Sequence, residues 1–447
     1  MKTPKKIAVV GGGSAGLVAA LILKTRFPHM QIDIIRSTKI GIIGVGEGST
    51  EHWRQFMDYV GIDNTTVVKE CDATFKAGIM FKDWSEKDYL HSIGYGFNVR
   101  AEGYPYVYAK LIADGAEPKE LVPNHAWDSV VNLWFVGKPD QTPAVQYHFN
   151  TNKLNTFLCK LAEQRGCDIY DDEINEVNLN SEGEISTLVG TKTTYDYDFY
   201  IDSTGFSKLL ISKLGAKWQS YSKYLKMNSA IVFPTENSGE IDMWTTSRAM
   251  KAGWLFRIPV QGRYGNGYIF DRNYITPEEA KAEAEEYLGH SVEVGKLLSF
   301  DPGALDKTWL KNCCAIGLSS SFVEPLEASS IGTSIQQAFL LSDRIVNYDE
   351  AVSERYNKSV TAIVENIRDF IALHYVTKRN DTPFWKDIQN IELPPRLKEN
   401  LEVWRNKMPV KEDFMIGSDF TLFQEFHHIL ILHGLGLFNQ EAIRNEY

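Results

Sequence analysis

Apolar and polar positions divide the chain into a glycine-punctuated amino part, a strand-rich middle and a helical end. Ile7, Ala8, Val9 and Val10 form a continuous apolar run that passes straight into Gly11, Gly13 and Gly16. That run predicts a short buried strand, and LVAALILK after Ala15 and Gly16 predicts a helix starting near Ser14. A second strand is expected from Gln31 to Ile35, beyond Pro28. Trp53, Phe56, Met57 and Val60 recur at helical spacing. Between Ala73 and Trp84 the residues alternate as in a strand, Phe75, Ile79 and Phe81 on one face, Lys76, Met80 and Lys82 on the other. Asn152 to Gln164 reads as a helix, Asp168 to Asp202 as several short strands ending in YIDSTG, and Ser229 to Phe270 as a sheet that includes GWLFRIPV, Gly253 to Val260. From about Ser329 a helix carries Ile331, Ile335, Phe339 and Ile345 on one stripe. The last hundred or so residues are mainly helical, interrupted by DTPFW and ELPPR.

Where these elements meet glycines, chemistry enters. GxGxxG between a strand and a helix permits a tight turn and close backbone approach, and the helix start aims unpaired amides at a pyrophosphate. The strand that follows the helix makes this a dinucleotide-binding unit rather than a merely tight loop. An Asp or Glu is expected at the end of that second strand to hold a ribose, but Arg36 and Ser37 stand there. Arg36 suits a 2'-phosphate, hence NADP, or an adenosine of FAD with Ser37 or Glu47 taking the hydroxyls; the dipeptide does not separate these. A second glycine loop, Gly41 to Thr50, again leads into a helix. Asp202 to Gly205 resembles the second nucleotide contact of flavoproteins, and EASSIG before the late helix offers capping serines and free amides to an anion.

Composition narrows the classes. The 447 residues carry a formal net charge of -11, which argues against a nucleic-acid partner. Hydrophobic content of 43% and charged content of 23% are those of a soluble globular protein. No other run reaches the roughly 18 apolar residues of a membrane span, and the triple glycine does not suit a secretory signal. Five cysteines without a CxxC spacing indicate neither a disulfide framework nor a zinc site, as fits a cytoplasmic protein with no metal and no membrane attachment.

Taken together, GGGSAG, GVGEGST, ATFKAGIMFKDW, YHFN, DSTGF, GWLFRIP, AIGLSSSFVEPLEASSI, RDFIALHY and DTPFW resemble, in order and over most of the chain, the flavin-dependent halogenases of the tryptophan halogenase family. The resemblance implies an α/β fold with a Rossmann-like, flavin monooxygenase-like FAD core, an interleaved β-sheet substrate lobe and a helical C-terminal part. The expected division is 1–82, 145–215 and 300–348 for the FAD lobe, 83–144 and 216–299 for the substrate lobe, and 349–447 for the helical region.

It also implies roles. Reduced FAD, O2 and a halide ion would yield a hypohalous acid that reaches Lys76, which holds it by hydrogen bond or as a haloamine. Burial can lower a lysine enough to supply the neutral amine; a solvent-facing strand lysine, like Lys82, is the plain alternative. Glu327 matches the paired glutamate that orients the halogenating species and takes the ring proton, leaving Glu324 as a helix-start carboxylate complementing the dipole. The amides of Ser329 and Ser330 match the halide position. FAD contacts carried over are Gly11, Gly13, Ser14, Ala15, Gly16, Ser37, Glu47, Gly48, Val177, Leu318 and Ile331. The family's GWxWxIP signature has Phe256 for its second Trp; with Trp254 it would shield the flavin, unless Trp254 only packs.

Tryptophan-specific members place a lid of aromatics and polar anchors near the carboxyl end, and little follows HGLGLF here. The expectation is therefore an open pocket for assorted electron-rich aromatics, lined by some of Trp84, His91 and Phe97, with reduced flavin arriving from a separate NAD(P)H reductase. Oligomeric state stays open. The rival readings are a flavin monooxygenase, which would need to meet NADPH although no second GxGxxG is present, an NADP-dependent dehydrogenase, and a non-catalytic flavin-binding protein.

Overall fold

The computed structural model describes residues 1–43, 48–92, 104–122, 137–139, 146–237, 241–414 and 421–446. Two sheets organise it. The first has six strands in the order Trp309–Leu310, Cys313–Ala315, Phe199–Asp202, Lys6–Val10, Gln31–Arg36, Ile169–Asp171. All neighbours are parallel except Trp309–Leu310, which joins antiparallel. Lys6–Val10 lies near its centre with both faces covered, which is why it reads as an unbroken apolar run. Ile7 and Val9 enter the main core. Ala8 and Val10 point the other way, into a smaller core with Leu188 and Tyr195 of a three-stranded sheet. Helix Ser14–Arg26 packs between helices Ser329–Arg344 and Thr151–Gln164.

The second sheet has seven strands in the order Lys296–Ser299, Ser229–Glu236, Arg263–Phe270, Gly253–Val260, Trp244–Met250, Gly78–Lys82, Tyr89–Ser92. It is antiparallel except where Trp244–Met250 meets Gly78–Lys82. The helical end opens with Glu350–His374. Pro383 and Pro395 each begin a helix at its first turn, where a missing N–H costs nothing, so the DTPFW and ELPPR interruptions are helix starts. Among the described residues no helix is long and apolar enough to cross a membrane.

Most expected elements appear within a residue or so of their expected limits. The Ala73 to Trp84 run differs. It is not one strand: Thr74–Phe75 pairs with Tyr147–His148, and Gly78–Lys82 joins the seven-stranded sheet. Between them Lys76 N donates to Gln146 O at 3.0 Å and Ala77 N to Met243 O at 2.6 Å, so the chain changes partners at these two residues. That step carries Lys76 inward, to 3% exposure, while Lys82 stays half-buried.

Candidate functional site

The glycine turn is built by backbone. Gly11 sits at φ +116° and a Cβ there would lie 2.2 Å from Ser203 O, so only glycine fits. Ser203 Oγ closes the turn by donating to Val10 O and Gly11 O, both at 3.0 Å. Helix Ser14–Arg26 starts from Gly13 with no side-chain cap and no acidic residue in its first turn, leaving amides available to an anion. Around it opens a cavity of about 790 Å³. Gly11, Gly13, Ser14, Ala15, Ser37, Leu318 and Ile331 line it, as do Ser329, Ser330 and Phe256. Gly16 is buried behind the turn. Val177 lies in strand Ile174–Leu179 with its side chain in the smaller core, apart from this lining. Glu47 lies outside the described residues.

Arg36 also faces this cavity. Its Nη1 is 3.0 Å from Cys159 Sγ, and its buried Nε has no partner. Asn155, which the sequence reading missed, donates to Gly12 O at 2.6 Å from the buried side of its helix. Its signal was a polar residue on an otherwise apolar helix face. Amides, hydroxyls, an Asn and an unpaired guanidinium nitrogen form a donor set that fits a dinucleotide such as FAD.

A second cluster lies deeper. Pro325–Glu327 forms one tight turn, Ala328 takes a left-handed conformation at φ +52°, and helix Ser329–Arg344 follows. Non-glycine residues take such strain where surrounding structure imposes it. It sets Glu327 directly before the uncapped helix start. Both carboxyl oxygens of Glu327 are engaged: Oε2 lies 2.8 Å from His91 Nδ1 and Oε1 lies 2.9 Å from His374 Nε2. His91 Nε2 is in turn 2.8 Å from His427 Nδ1, and His374 Nδ1 is 2.8 Å from Phe370 O. Lys76 Nζ donates to Ser49 O at 3.0 Å, beside Gly48, which bridges to His148. Glu327 favours the charged form of Lys76 without forming a direct ion pair with it.

Burial sets the protonation of this cluster. It pulls the Lys76 ammonium down to about 8, against the upward pull of Glu327 and Glu51. Burial pushes Glu327 up, but the charge and hydrogen bonds of His91 and His374 outweigh it and hold the carboxyl at about 2. Glu324, on the same turn, is fully buried and pushed up to about 7, against hydrogen bonds from Tyr375 and Trp254.

The family model described as tryptophan halogenase matches residues 6–445. The chain belongs to the tryptophan halogenase family. These enzymes are flavin-dependent halogenases. Tryptophan 6-halogenase SttH of Streptomyces toxytricini is 30% identical over 92% of this chain and 86% of its own length. The crystal structure of a tryptophan halogenase from Shewanella frigidimarina superposes with a TM-score of 0.88 at 26% identity, covering 100% of this chain and 94% of that one. BrvH, a flavin-dependent halogenase from Brevundimonas, gives 0.83 at 27% identity, covering 97% and 90%.

Several residues expected at the substrate take other places in this halogenase. Trp84 is fully buried, its indole N–H donating to Ser247 O at 3.1 Å and its ring packed against Phe81, Tyr375 and Trp385. His91 holds Glu327 and His427. Trp254 donates to Glu324 Oε2 at 3.3 Å, so Glu324, though at the N-cap of the Pro325–Glu327 turn, spends its side chain on an indole and the Tyr375 hydroxyl and makes no capping bond. The indole needs an acceptor once buried, and Glu324 is the acceptor within reach. Phe97 lies outside the described residues. His374 and His427 were missed. RDFIALHY did flag the first, as part of a family segment but without a role.

Proposed function

We propose that this halogenase replaces a ring hydrogen of a small electron-rich aromatic by halogen, with Lys76 carrying the electrophilic halogen and Glu327 receiving the ring proton. Reduced FAD, supplied by a separate reductase, and O2 provide the oxidising power that turns halide into hypohalous acid. The FAD would lie along Gly11 to Ala15, Ser37, Leu318 and Ile331, with Arg36 and Asn155 on the same wall. The amides of Ser329 and Ser330 would hold the halide, since this uncapped helix start lines the cavity and directly follows Glu327.

The observation that carries the reading is Lys76 itself. A lysine 3% exposed, giving its hydrogen bond to a neutral carbonyl and drawn down to about 8, supplies the amine that captures electrophilic halogen. Halogen then passes to the ring, whose electron pair forms the new bond, and the displaced proton goes to Glu327. The imidazoles that hold Glu327 are flanked by phenyl rings, His91 by Phe370 and Phe423 and His374 by Phe370, surroundings that suit an aromatic ring better than an ammonium and carboxylate pair. That supports a reading of broad use of indoles and phenols.

The test is a halide-by-substrate screen with FAD, a flavin reductase, NADH and oxygen, read by product mass. Lys76→Ala and added catalase are run in parallel. Halogenated product that vanishes with Lys76→Ala and survives catalase is the expected result. Products gaining only oxygen would replace the reading with monooxygenation, and faster turnover of free tryptophan than of phenols and indoles would overturn the broad range.

A further inference from the structure

Hydrogen-bond bookkeeping around Glu327 says more than its burial does. His374 Nδ1 faces Phe370 O, which can only accept, so that nitrogen carries a hydrogen. The other nitrogen of a neutral imidazole can only accept, and so can a carboxylate. Yet His374 Nε2 and Glu327 Oε1 are 2.9 Å apart, and one further proton must lie between them. The other side needs a proton between His91 Nδ1 and Glu327 Oε2 and another between His91 Nε2 and His427 Nδ1. The four contacts therefore hold four protons, whereas an ionised Glu327 and three neutral imidazoles bring three. The extra proton cancels the carboxylate charge wherever along the chain it rests.

We propose that His374 is a positioning residue which keeps that extra proton beside Glu327, so that no bare carboxylate faces Lys76 and the lysine remains a free amine. The proposal rests on the reading of Lys76 as the halogen carrier. Geometry supports the division of labour. Glu327 spends both oxygens on imidazoles, and Lys76 spends its hydrogen bond on Ser49 O rather than on Glu327. Among the described residues the groups facing Lys76 are Glu327 from the tight turn, Glu51 from the segment before helix His52–Val60, and His148 from its short strand. Those facing Glu327 are Lys76, His91, His374 and Tyr89. His427 and His428 stand behind His91 and His374, and His52 lies beyond His427. Glu324 turns away to Trp254 and Tyr375. His374 is thus the neighbour of Glu327 whose second nitrogen is fixed as a donor by a backbone carbonyl.

The experiment titrates Lys76 directly by NMR in the full chain labelled with 13C and 15N lysine, the Lys76 resonance being assigned by its loss in Lys76→Arg. Burial is expected to hold the midpoint well below the ordinary lysine value and no higher than about 8, the figure reached when a charged Glu327 still raises it. His374→Gln keeps an N–H donor toward Glu327 but cannot hold the extra proton, and the midpoint is expected to rise by about one pH unit. Glu327→Gln removes charge and extra proton together, so alone it leaves the midpoint where it was, and added to His374→Gln it restores it. A merely structural histidine would not move a lysine titration in this pattern. An unchanged or lowered midpoint in His374→Gln overturns the proposal. So does a fall of about one unit in Glu327→Gln alone, which would mean that a bare carboxylate had been supporting the ammonium; this arm stands even if His374→Gln fails to fold. The titration needs no flavin, halide or substrate. The expected pattern in a chain that makes no halogenated product would sink the functional reading and leave the histidine assignment intact.

Discussion

The glycine cradle, whose cavity Ser329 and Ser330 line, and the Lys76–Glu327 cluster, whose glutamate precedes the Ser329–Arg344 helix, are built on opposite principles. The cradle is backbone: amides at a helix start, a glycine no other residue can replace, one serine closing the turn. The cluster is side chain: a lysine, a glutamate and three histidines gathered from positions 76, 91, 327, 374 and 427. The first tolerates polar neighbours of many kinds. The second works only if proton and charge are placed correctly, so it is costly to keep.

The sharpest way to separate the two is Lys76→Met. Halogenation is expected to fall by about 10²- to 10⁴-fold, while FAD affinity, a cradle property, stays unchanged. Stability moves the other way. The unfolded lysine holds its proton to the ordinary value near 10.5 and the folded one releases it near 8, so folding of the wild type gains stability as pH rises through that window. At pH 7 the penalty is on the order of 3 kcal/mol, and Lys76→Met should recover much of it in urea unfolding, with the gain shrinking as pH approaches 10.5. Wild-type turnover should fall below about pH 8 as the ammonium forms. A variant that lost activity and FAD binding together would erase the distinction.

Two glycines test the cradle from its own side. Gly11→Val combines a left-handed backbone with a Cβ 2.2 Å from Ser203 O, and about 4 kcal/mol of stability should be lost. Gly13→Ala meets nothing within 4 Å in the protein. Its stability should change by less than about 0.5 kcal/mol, yet its FAD affinity, followed by flavin fluorescence, should drop, because the new methyl enters the space left for the ligand. Equal stability losses in both would show that the turn is shaped by packing rather than by what it binds.

This contrast also explains what could be read from the chain. GxGxxG, the helix at Ser329 and the strand Gly253–Val260 are local: periodicity and glycine spacing act on neighbours in sequence, and they appear close to where expected. The cluster depends on contacts between distant segments, and no spacing announces them. Lys76 was legible only through family likeness, because strand alternation treats it like Lys82; the change of partners at Lys76 and Ala77 that buries it comes from Gln146 O and Met243 O, far along the chain. His91 looked like a pocket wall because its partner Glu327 lies 236 positions away. His427 sits beside His428 in a largely apolar helix, and nothing in that local pattern sets it apart from a packed core histidine.

The smallest expected effect concerns Glu324, which shares a turn with Glu327 and has the opposite fate. Tyr375 and Trp254 donate to one of its oxygens, the other is buried without a partner, and burial lifts the carboxyl to about 7. The two acids are thus sorted by their partners, His91 and His374 keeping Glu327 low while the hydrogen bond from Tyr375, next to His374, leaves Glu324 high. The unfolded Glu324 ionises near 4.5 while the folded one keeps its proton to about 7, so the unfolded state holds fewer protons between those values and stability falls as pH rises through them. The loss is at most on the order of 3 kcal/mol. Glu324→Gln keeps an acceptor for the indole and the phenol and has no proton to lose. It should therefore match the wild type near pH 4, where both are neutral, and exceed it in unfolding free energy near pH 8. A difference of the same size at both pH values would mean that Gln acts through packing, and that the buried acid beside Glu327 is not the neutral partner its surroundings make it.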